Sequence, residues 1–167
     1  MELKKRKINR LKGFDYSTDG AYFVTICTKD RKCTLAKIVG DGSPIPKKCM
    51  LGEIATRYIE SISEKYPTAY VDKYVVMPNH IHLVLFINNS VIGAGNPSPT
   101  LGNIIGWLKY SITKEYNKMR VEKISAFQRS YYDHIIRNEK DYLEILQYIE
   151  NNPMKWKMDE LYNQPNL

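Results

Sequence analysis

Tyr74-Val75-Val76-Met77-Pro78-Asn79-His80-Ile81-His82-Leu83-Val84-Leu85-Phe86-Ile87 is the stretch that decides the fold of this 167-residue chain. Pro78-Asn79 is a good turn pair between two apolar runs, so the stretch reads as an antiparallel hairpin of Tyr74–Met77 with His80–Ile87. In the second run Ile81, Leu83, Leu85 and Ile87 share one face, while His80, His82, Val84 and Phe86 share the other. A strand apolar on both faces belongs in the middle of its sheet.

Working outward, Tyr22-Phe23-Val24-Thr25-Ile26-Cys27-Thr28 is rich in β-branched and aromatic residues and reads as a strand. Cys33 to Val39 reads as a short ribbon that stops at Gly40-Asp41-Gly42. Leu51, Ile54, Ala55, Tyr58 and Ile62 then form one helical stripe, ended by Tyr66-Pro67. Beyond the hairpin, Asn88 to Pro99 is loop-like. Thr100 is an N-cap for a helix striped by Leu101, Ile104, Ile105, Leu108 and Ile112. Tyr131 to Ile136 reads as a fourth strand, and a last helix runs from Glu139 to Asn152, where Pro153 stops it and disfavours α geometry at Asn152. The order β-α-β-β-α-β plus a terminal helix is α+β, the ferredoxin-like split β-α-β arrangement: a central antiparallel sheet with two helices on one face.

Charged residues at 26% and hydrophobic residues at 43% are ordinary globular values. No apolar run reaches the ~18–20 residues of a membrane span. The basic N-terminus is not followed by the apolar stretch of a signal peptide. Cys27, Cys33 and Cys49, odd in number and without CxxC spacing, suit a reducing cytosol, so a cytoplasmic protein is expected. Of the net charge of +7, five units lie in the first twelve residues, where Lys4, Lys5, Arg6, Lys7, Arg10 and Lys12 face a single acid, Glu2. A basic arm, residues 1–13, on a body of residues 14–167 points toward a polyanion, with nucleic acid the leading candidate.

Two of the three histidines form His80-Ile81-His82. At i and i+2 on a strand both imidazoles project from one face, a geometry that suits two ligands on one metal ion, although HxH alone is a common pattern. On the last helix Tyr142, Ile145, Leu146 and Ile149 make the core stripe. At ~100° per residue Tyr148 falls roughly 110° from the centre of that stripe and Asn152 about 70° from it. They are neighbours on the flank of the helix.

Met77-Pro78-Asn79-His80-Ile81-His82-Leu83 together with Tyr148-Ile149-Glu150-Asn151-Asn152-Pro153 resembles the single-tyrosine HUH transposases, in particular the REP-associated tyrosine transposases. Tyr22–Thr28 and Tyr132-Asp133-His134-Ile135-Ile136-Arg137 match as well, so the likeness runs from about residue 10 to residue 157. The resemblance implies a metal-dependent DNA transposase that nicks and rejoins strands. His80, His82 and Asn152 would hold a divalent cation, Mg2+ or Mn2+. Tyr148 would attack a DNA phosphate to give a 5′-phosphotyrosine and a free 3′-hydroxyl. The implied substrate is single-stranded DNA near hairpins, acted on by a monomer or homodimer associated with the nucleoid. Where this chain has Asn152 the insertion-sequence branch commonly has the longer glutamine.

Phosphate contacts fall to the arm (Lys4, Lys5, Arg6, Lys7, Arg10, Lys12), to Arg129 and Arg137, and to the lysines of the second helix. Phe14 and Trp107 are stacking candidates, Trp107 adjoining an apolar stripe that would bury it. His134 is an alternative metal ligand, or a structural or DNA-contacting residue beside Asp133. Three other readings remain open at this level: a nonenzymatic nucleic-acid-binding ferredoxin-like module, a zinc hydrolase using all three histidines, and a rolling-circle replication initiator.

Overall fold

A computed structural model describes residues 19–40, 42–89 and 99–162. The basic arm, Phe14 and most of the loop after the hairpin lie outside the described residues. The elements are β1 (Gly20–Cys27), β2 (Ala36–Val39), β3 (Ile45–Lys48), α1 (Met50–Glu60), α2 (Ile62–Lys65), β4 (Ala69–Val76), β5 (His80–Ile87), α3 (Leu101–Lys118), β6 (Tyr132–Ile136) and α4 (Glu139–Asn151). Short 3-10 turns occupy Lys29–Arg31 and Trp156–Met158. None of the described helices is long and apolar enough to cross a membrane.

The main sheet has the order β4-β5-β1-β6, every neighbouring pair antiparallel. This is the split β-α-β arrangement expected from the sequence: β5 lies between β4 and β1, and β1 between β5 and β6. β5 is central for the reason its pattern gives. Ile81, Leu83, Leu85 and Ile87 join Tyr22, Val24 and Ile26 of β1 in a core closed by Leu51, Ile54, Ala55 and Ile59 of α1 and Leu101, Ile104, Ile105, Leu108 and Ile112 of α3. On the other face Val84, with Phe23, Val75 and Phe86 at its margin, packs against Ile145 and Ile149 of α4. The two crossover helices therefore share one face, and α4 covers the opposite one.

Local chemistry sets the helix starts. The Thr100 side chain accepts from the Asn103 amide (3.2 Å), and the Asn138 side chain from the Asp141 amide (2.9 Å). Trp107 packs against the core, its ring in edge contact with Tyr58 and Tyr66, which removes it as a stacking platform.

Several features differ from the sequence reading. The single helix striped from Leu51 to Ile62 is broken at Ser61 into α1 and α2. β4 begins at Ala69, five residues earlier than the alternation suggests, because a bulge between Val71 and Lys73 leaves Asp72 out of register and breaks the period of two. β3 pairs with β2 in a separate two-stranded ribbon. Asn152 keeps α geometry (φ −59°, ψ −42°) despite Pro153. The clash that Pro imposes on the residue before it is a penalty rather than a prohibition. Here the chain continues into a turn in which the Lys155 amide bonds both the Asn151 and Asn152 carbonyls.

Two glycines predict opposite responses to one substitution. A Cβ on Gly52 of α1 would stand 2.1 Å from the Leu35 carbonyl oxygen, whereas a Cβ on Gly106 of α3 meets nothing within 4 Å. Gly52→Ala is expected to destabilise the fold by roughly 1–3 kcal/mol, and Gly106→Ala to stabilise it by about 0.5–1 kcal/mol. Urea unfolding followed by circular dichroism measures both; a shift of the same sign in the two variants contradicts this packing.

Candidate active site

The alternation of β5 carries His80 and His82 to the α4 face, where both are buried. Their rings lie 4.4 Å apart, centroid to centroid. Phe23 of β1 stacks on His82 at 5.1 Å, and Trp156, from the turn after α4, lies 5.9 Å from His80. Burial disfavours the imidazolium, pushing His80 down to about 4 and His82 well below the ordinary histidine value. Both rings are therefore neutral at physiological pH, the form that ligates metals.

The hydrogen bonds orient these rings. The Asn79 side-chain amide donates to the Leu161 carbonyl (2.7 Å), so its Oδ1 is turned toward His80 Nδ1, 2.8 Å away. An oxygen can only accept there, which puts the His80 proton on Nδ1 and leaves a bare lone pair on Nε2. That Nε2 is buried and has no hydrogen-bond partner. Thr25 Oγ1, opposite in register on β1, lies 2.8 Å from His82 Nδ1. His82 Nε2 faces the Tyr148 hydroxyl at 3.4 Å.

α4 presents Tyr148 on the flank of its buried stripe, as the helical spacing predicts, and the residue is 45% exposed. Its ring meets Phe23 and His82 edge-on at 6.0 and 5.2 Å. Burial, followed by the charges of Asp159 and Glu160, raises the phenol above its ordinary value, with the Asn152 amide acting in the opposite direction. The resting hydroxyl thus keeps its proton, so attack by this oxygen must be accompanied by proton loss.

Asn152 caps α4 and is buried. Its Nδ2 donates to Asp159 Oδ2 (2.7 Å), while its Oδ1 is a second buried atom without a partner. Asp159, half-buried, also accepts from the Leu161 amide (2.7 Å). One ligand atom each from His80, His82 and Asp159 lies within 4.8 Å of the others. Two orphaned acceptors, His80 Nε2 and Asn152 Oδ1, beside a second imidazole and a carboxylate make a donor set suited to a divalent cation.

The structure thus brings His80, His82, Tyr148 and Asn152 together. His134 lies apart: it projects from β6 and bonds Asp141 at 2.8 Å. A centre built from all three histidines does not form. Arg129 and Arg137 are both exposed, Arg137 just before the start of α4, at the end opposite Tyr148. Sequence reasoning missed Asp159, Thr25 and the orienting role of Asn79. Thr25 becomes visible only through the register of β1 on β5, and Asp159 stands in a segment without periodicity.

Strain gathers beside this site. Asp30 and Arg31 have positive φ (56° and 54°), a conformation that costs non-glycine residues about 1–2 kcal/mol each. They follow Thr28, whose hydroxyl is shared between the Lys32 and Asn79 carbonyls (2.8 and 3.0 Å).

A family model for IS200-like transposases matches residues 17–152 of this chain. An uncharacterized protein of Haemophilus influenzae is 34% identical over 171 residues, which covers 94% of this chain and 93% of that protein. A second Haemophilus influenzae protein, provisionally named a REP-associated tyrosine transposase, is 26% identical over 84% of this chain and 74% of its own length. Among solved structures, a REP-associated tyrosine transposase bound to a REP hairpin superposes with a TM-score of 0.61 at 19% identity, over 87% of this chain and 74% of that one. A protein of Deinococcus radiodurans provisionally described as a transposase gives a TM-score of 0.50 at 18% identity, over 85% of this chain and 95% of its own.

The clamp on His80 yields a quantitative expectation. Asn79→Ala removes the acceptor that fixes the His80 tautomer and should weaken Mn2+ binding by roughly ten- to a hundredfold. Because the imidazoles are already neutral, binding at pH 7 should release almost no proton. Titration calorimetry of the wild type in two buffers of different ionisation enthalpy should then return the same heat; a large difference would mean the rings start protonated.

Proposed function

The chain belongs to the IS200-like transposase family, and on that premise we propose that it cleaves and rejoins single-stranded DNA beside hairpins through a covalent bond to Tyr148. The observation that carries this reading is the Tyr148 hydroxyl, 3.4 Å from Nε2 of a buried, neutral His82. In this reading a nucleophile on a half-exposed helix flank faces a buried pair of metal-type ligands on the central strand. In this reading His80, His82 and Asn152 hold a Mg2+ or Mn2+ ion, and Asp159 adds a carboxylate at its edge. When bound, that ion supplies Lewis-acid polarisation of the scissile phosphate.

Tyr148 Oη bonds to phosphorus as the bond from phosphorus to the 3′-oxygen breaks. The phenolic proton is given up and the departing 3′-oxygen takes one, so the step is proton-neutral overall. The bond energy is kept in the phosphotyrosine, and a second 3′-hydroxyl can reverse the attack to join strands without ATP. A hairpin-bearing substrate is suggested by the REP-associated transposase of the same fold, which is bound to a REP hairpin. The arm (Lys4, Lys5, Arg6, Lys7, Arg10 and Lys12), together with Arg129 and Arg137, supplies phosphate contacts that are salt-sensitive and sequence-independent. The contact of Tyr148 with His82 within one chain supports a site completed by a single copy.

The test is covalent trapping. Wild type with Mn2+ and a 5′-flanked hairpin oligonucleotide should give an adduct that survives denaturing electrophoresis. Tyr148→Phe should give none while keeping Mn2+ affinity within about twofold, and His82→Ala should lose both. An equimolar mixture of Tyr148→Phe and His82→Ala should remain inactive, since each site is built from one chain. No adduct from the wild type, with nucleic-acid binding retained, would instead favour a nonenzymatic binding module.

A further inference from the structure

We infer that Arg31, in the strained turn after β1, is a phosphate clamp: its guanidinium holds a non-bridging oxygen of the DNA phosphate that Tyr148 attacks. This rests on the strand-transfer reading above and adds a residue that reading leaves out. Arg31 has a φ of 54° and Asp30 one of 56°, a region that L side chains enter at a cost and that persists where the surroundings enforce it. Both side chains are exposed, so core packing does not impose them. Glycine takes this conformation freely, yet neither position is glycine. A side chain kept where having none is easier has a task of its own.

The backbone around Arg31 is tied to the histidine pair. The Arg31 amide donates to the Thr28 carbonyl (3.1 Å) and the Lys32 amide to the Lys29 carbonyl (3.3 Å). The Thr28 hydroxyl and amide both reach the Asn79 carbonyl (3.0 and 2.9 Å). The Arg31 carbonyl in turn lies 3.4 Å from Asn79 Nδ2, on the side chain whose Oδ1 orients His80. The turn is thereby fastened to the residue that precedes the first histidine, and it carries Arg31 to the edge of the site.

Charge identifies the task. Asp159 and Glu160 both act on the Tyr148 phenol, so the approach to the nucleophile is acidic and repels an incoming phosphodiester. Arg31 offsets that field. Its charge opposes protonation of His80 and favours ionisation of Cys27, the register partner of His80, while Asp159 acts on both groups in the opposite sense. Asp30 pairs with Lys29 (3.4 Å), which leaves Arg31 without an ion pair among the described residues. A guanidinium offers parallel N–H donors that fit a phosphate, and it stays charged at any working pH. Held in place before attack, those donors face the oxygens on which negative charge builds.

Arg31→Gly separates the two reasons for an arginine here, because it relieves the backbone and removes the guanidinium together. In the full-length protein its urea midpoint should not fall, whereas the rate of adduct formation at saturating 5′-flanked hairpin oligonucleotide should drop about a hundredfold. Arg31→Lys, which keeps the charge but not the fork, should stay about tenfold below the wild type. Lys37→Gln removes one exposed charge from the β2–β3 ribbon and should keep the rate within about twofold. Mn2+ affinity should stay within about twofold in all three. A Tyr148→Phe background reads the clamp without cleavage: adding Arg31→Gly there should weaken binding of the oligonucleotide in Mn2+ at least about fivefold by fluorescence anisotropy. Full activity in Arg31→Gly, or a loss matched by equal losses of Mn2+ affinity or fold stability, would overturn the assignment and leave the strand-transfer reading intact. Arg31-dependent binding in a wild type that never forms an adduct would sink that reading and leave the phosphate site standing.

Discussion

The burial of two imidazoles side by side on a central strand is the constraint from which the rest of the site follows. A ring in that position must be neutral, and each of its nitrogens needs a partner or a ligand. Three of the four nitrogens have one: His80 Nδ1 has Asn79, His82 Nδ1 has Thr25, and His82 Nε2 has Tyr148. His80 Nε2 has none. An unsatisfied buried acceptor costs about 1–3 kcal/mol, and Asn152 Oδ1 adds a second. Side chains that could have been apolar at no loss to the core are kept polar and unpaired in one spot. A ligand that satisfies both atoms would recover that deficit, so binding and stability are coupled at this point of the fold.

The two halves of the site differ in how firmly they are held. β5 is hydrogen-bonded on both sides and covered on both faces, so the histidines move only if the sheet does. α4 has just two buried residues, Ile145 and Ile149. Its other ties are the Tyr142 hydroxyl on Asp72 (2.6 Å), Lys73 on Glu150 (2.7 Å) and His134 on Asp141 (2.8 Å), at the surface. Exposed pairs of this kind contribute little to stability. On the proposed reading, ligands preorganised on the rigid element and a nucleophile on the lightly held one make a workable division. The ligands would hold their geometry before substrate arrives, and the phenol would close on phosphorus.

What could be read in the sequence follows the same line between local and non-local causes. The two-faced pattern of β5, the order of the main elements and the flank position of Tyr148 are local periodicities, and the structure reproduces them. The start of β4 was hidden because Asp72 is an extra residue in Ala69–Lys73, and a bulge erases alternation where it occurs. β3 was hidden because Ile45-Pro46-Lys47-Lys48 carries a proline and two lysines, tolerable only in an edge ribbon. Asp159 and Thr25 belong to the non-local class. Thr25 faces His82 only through strand register, and Asp159 reaches the site only because the chain turns back after Pro153. No window along the chain contains that information.

The bulge at Asp72 shows how a minor irregularity governs the contact between Tyr148 and His82. With regular alternation Val71 and Tyr74 would lie on opposite faces of β4; the extra residue lets both pack against the α1–α3 core. It also leaves Asp72 free of the ladder to accept from Tyr142 of α4, while its neighbour Lys73 holds Glu150. Those two ties grip α4 eight residues apart, about 12 Å along its axis, and Tyr148 lies between them. A slip of one helical turn would carry the phenol ~5.4 Å along β5, out of reach of His82. The surface ties add little stability, but they fix the register of α4 on the sheet. The 3.4 Å approach of Tyr148 to His82 depends on that register.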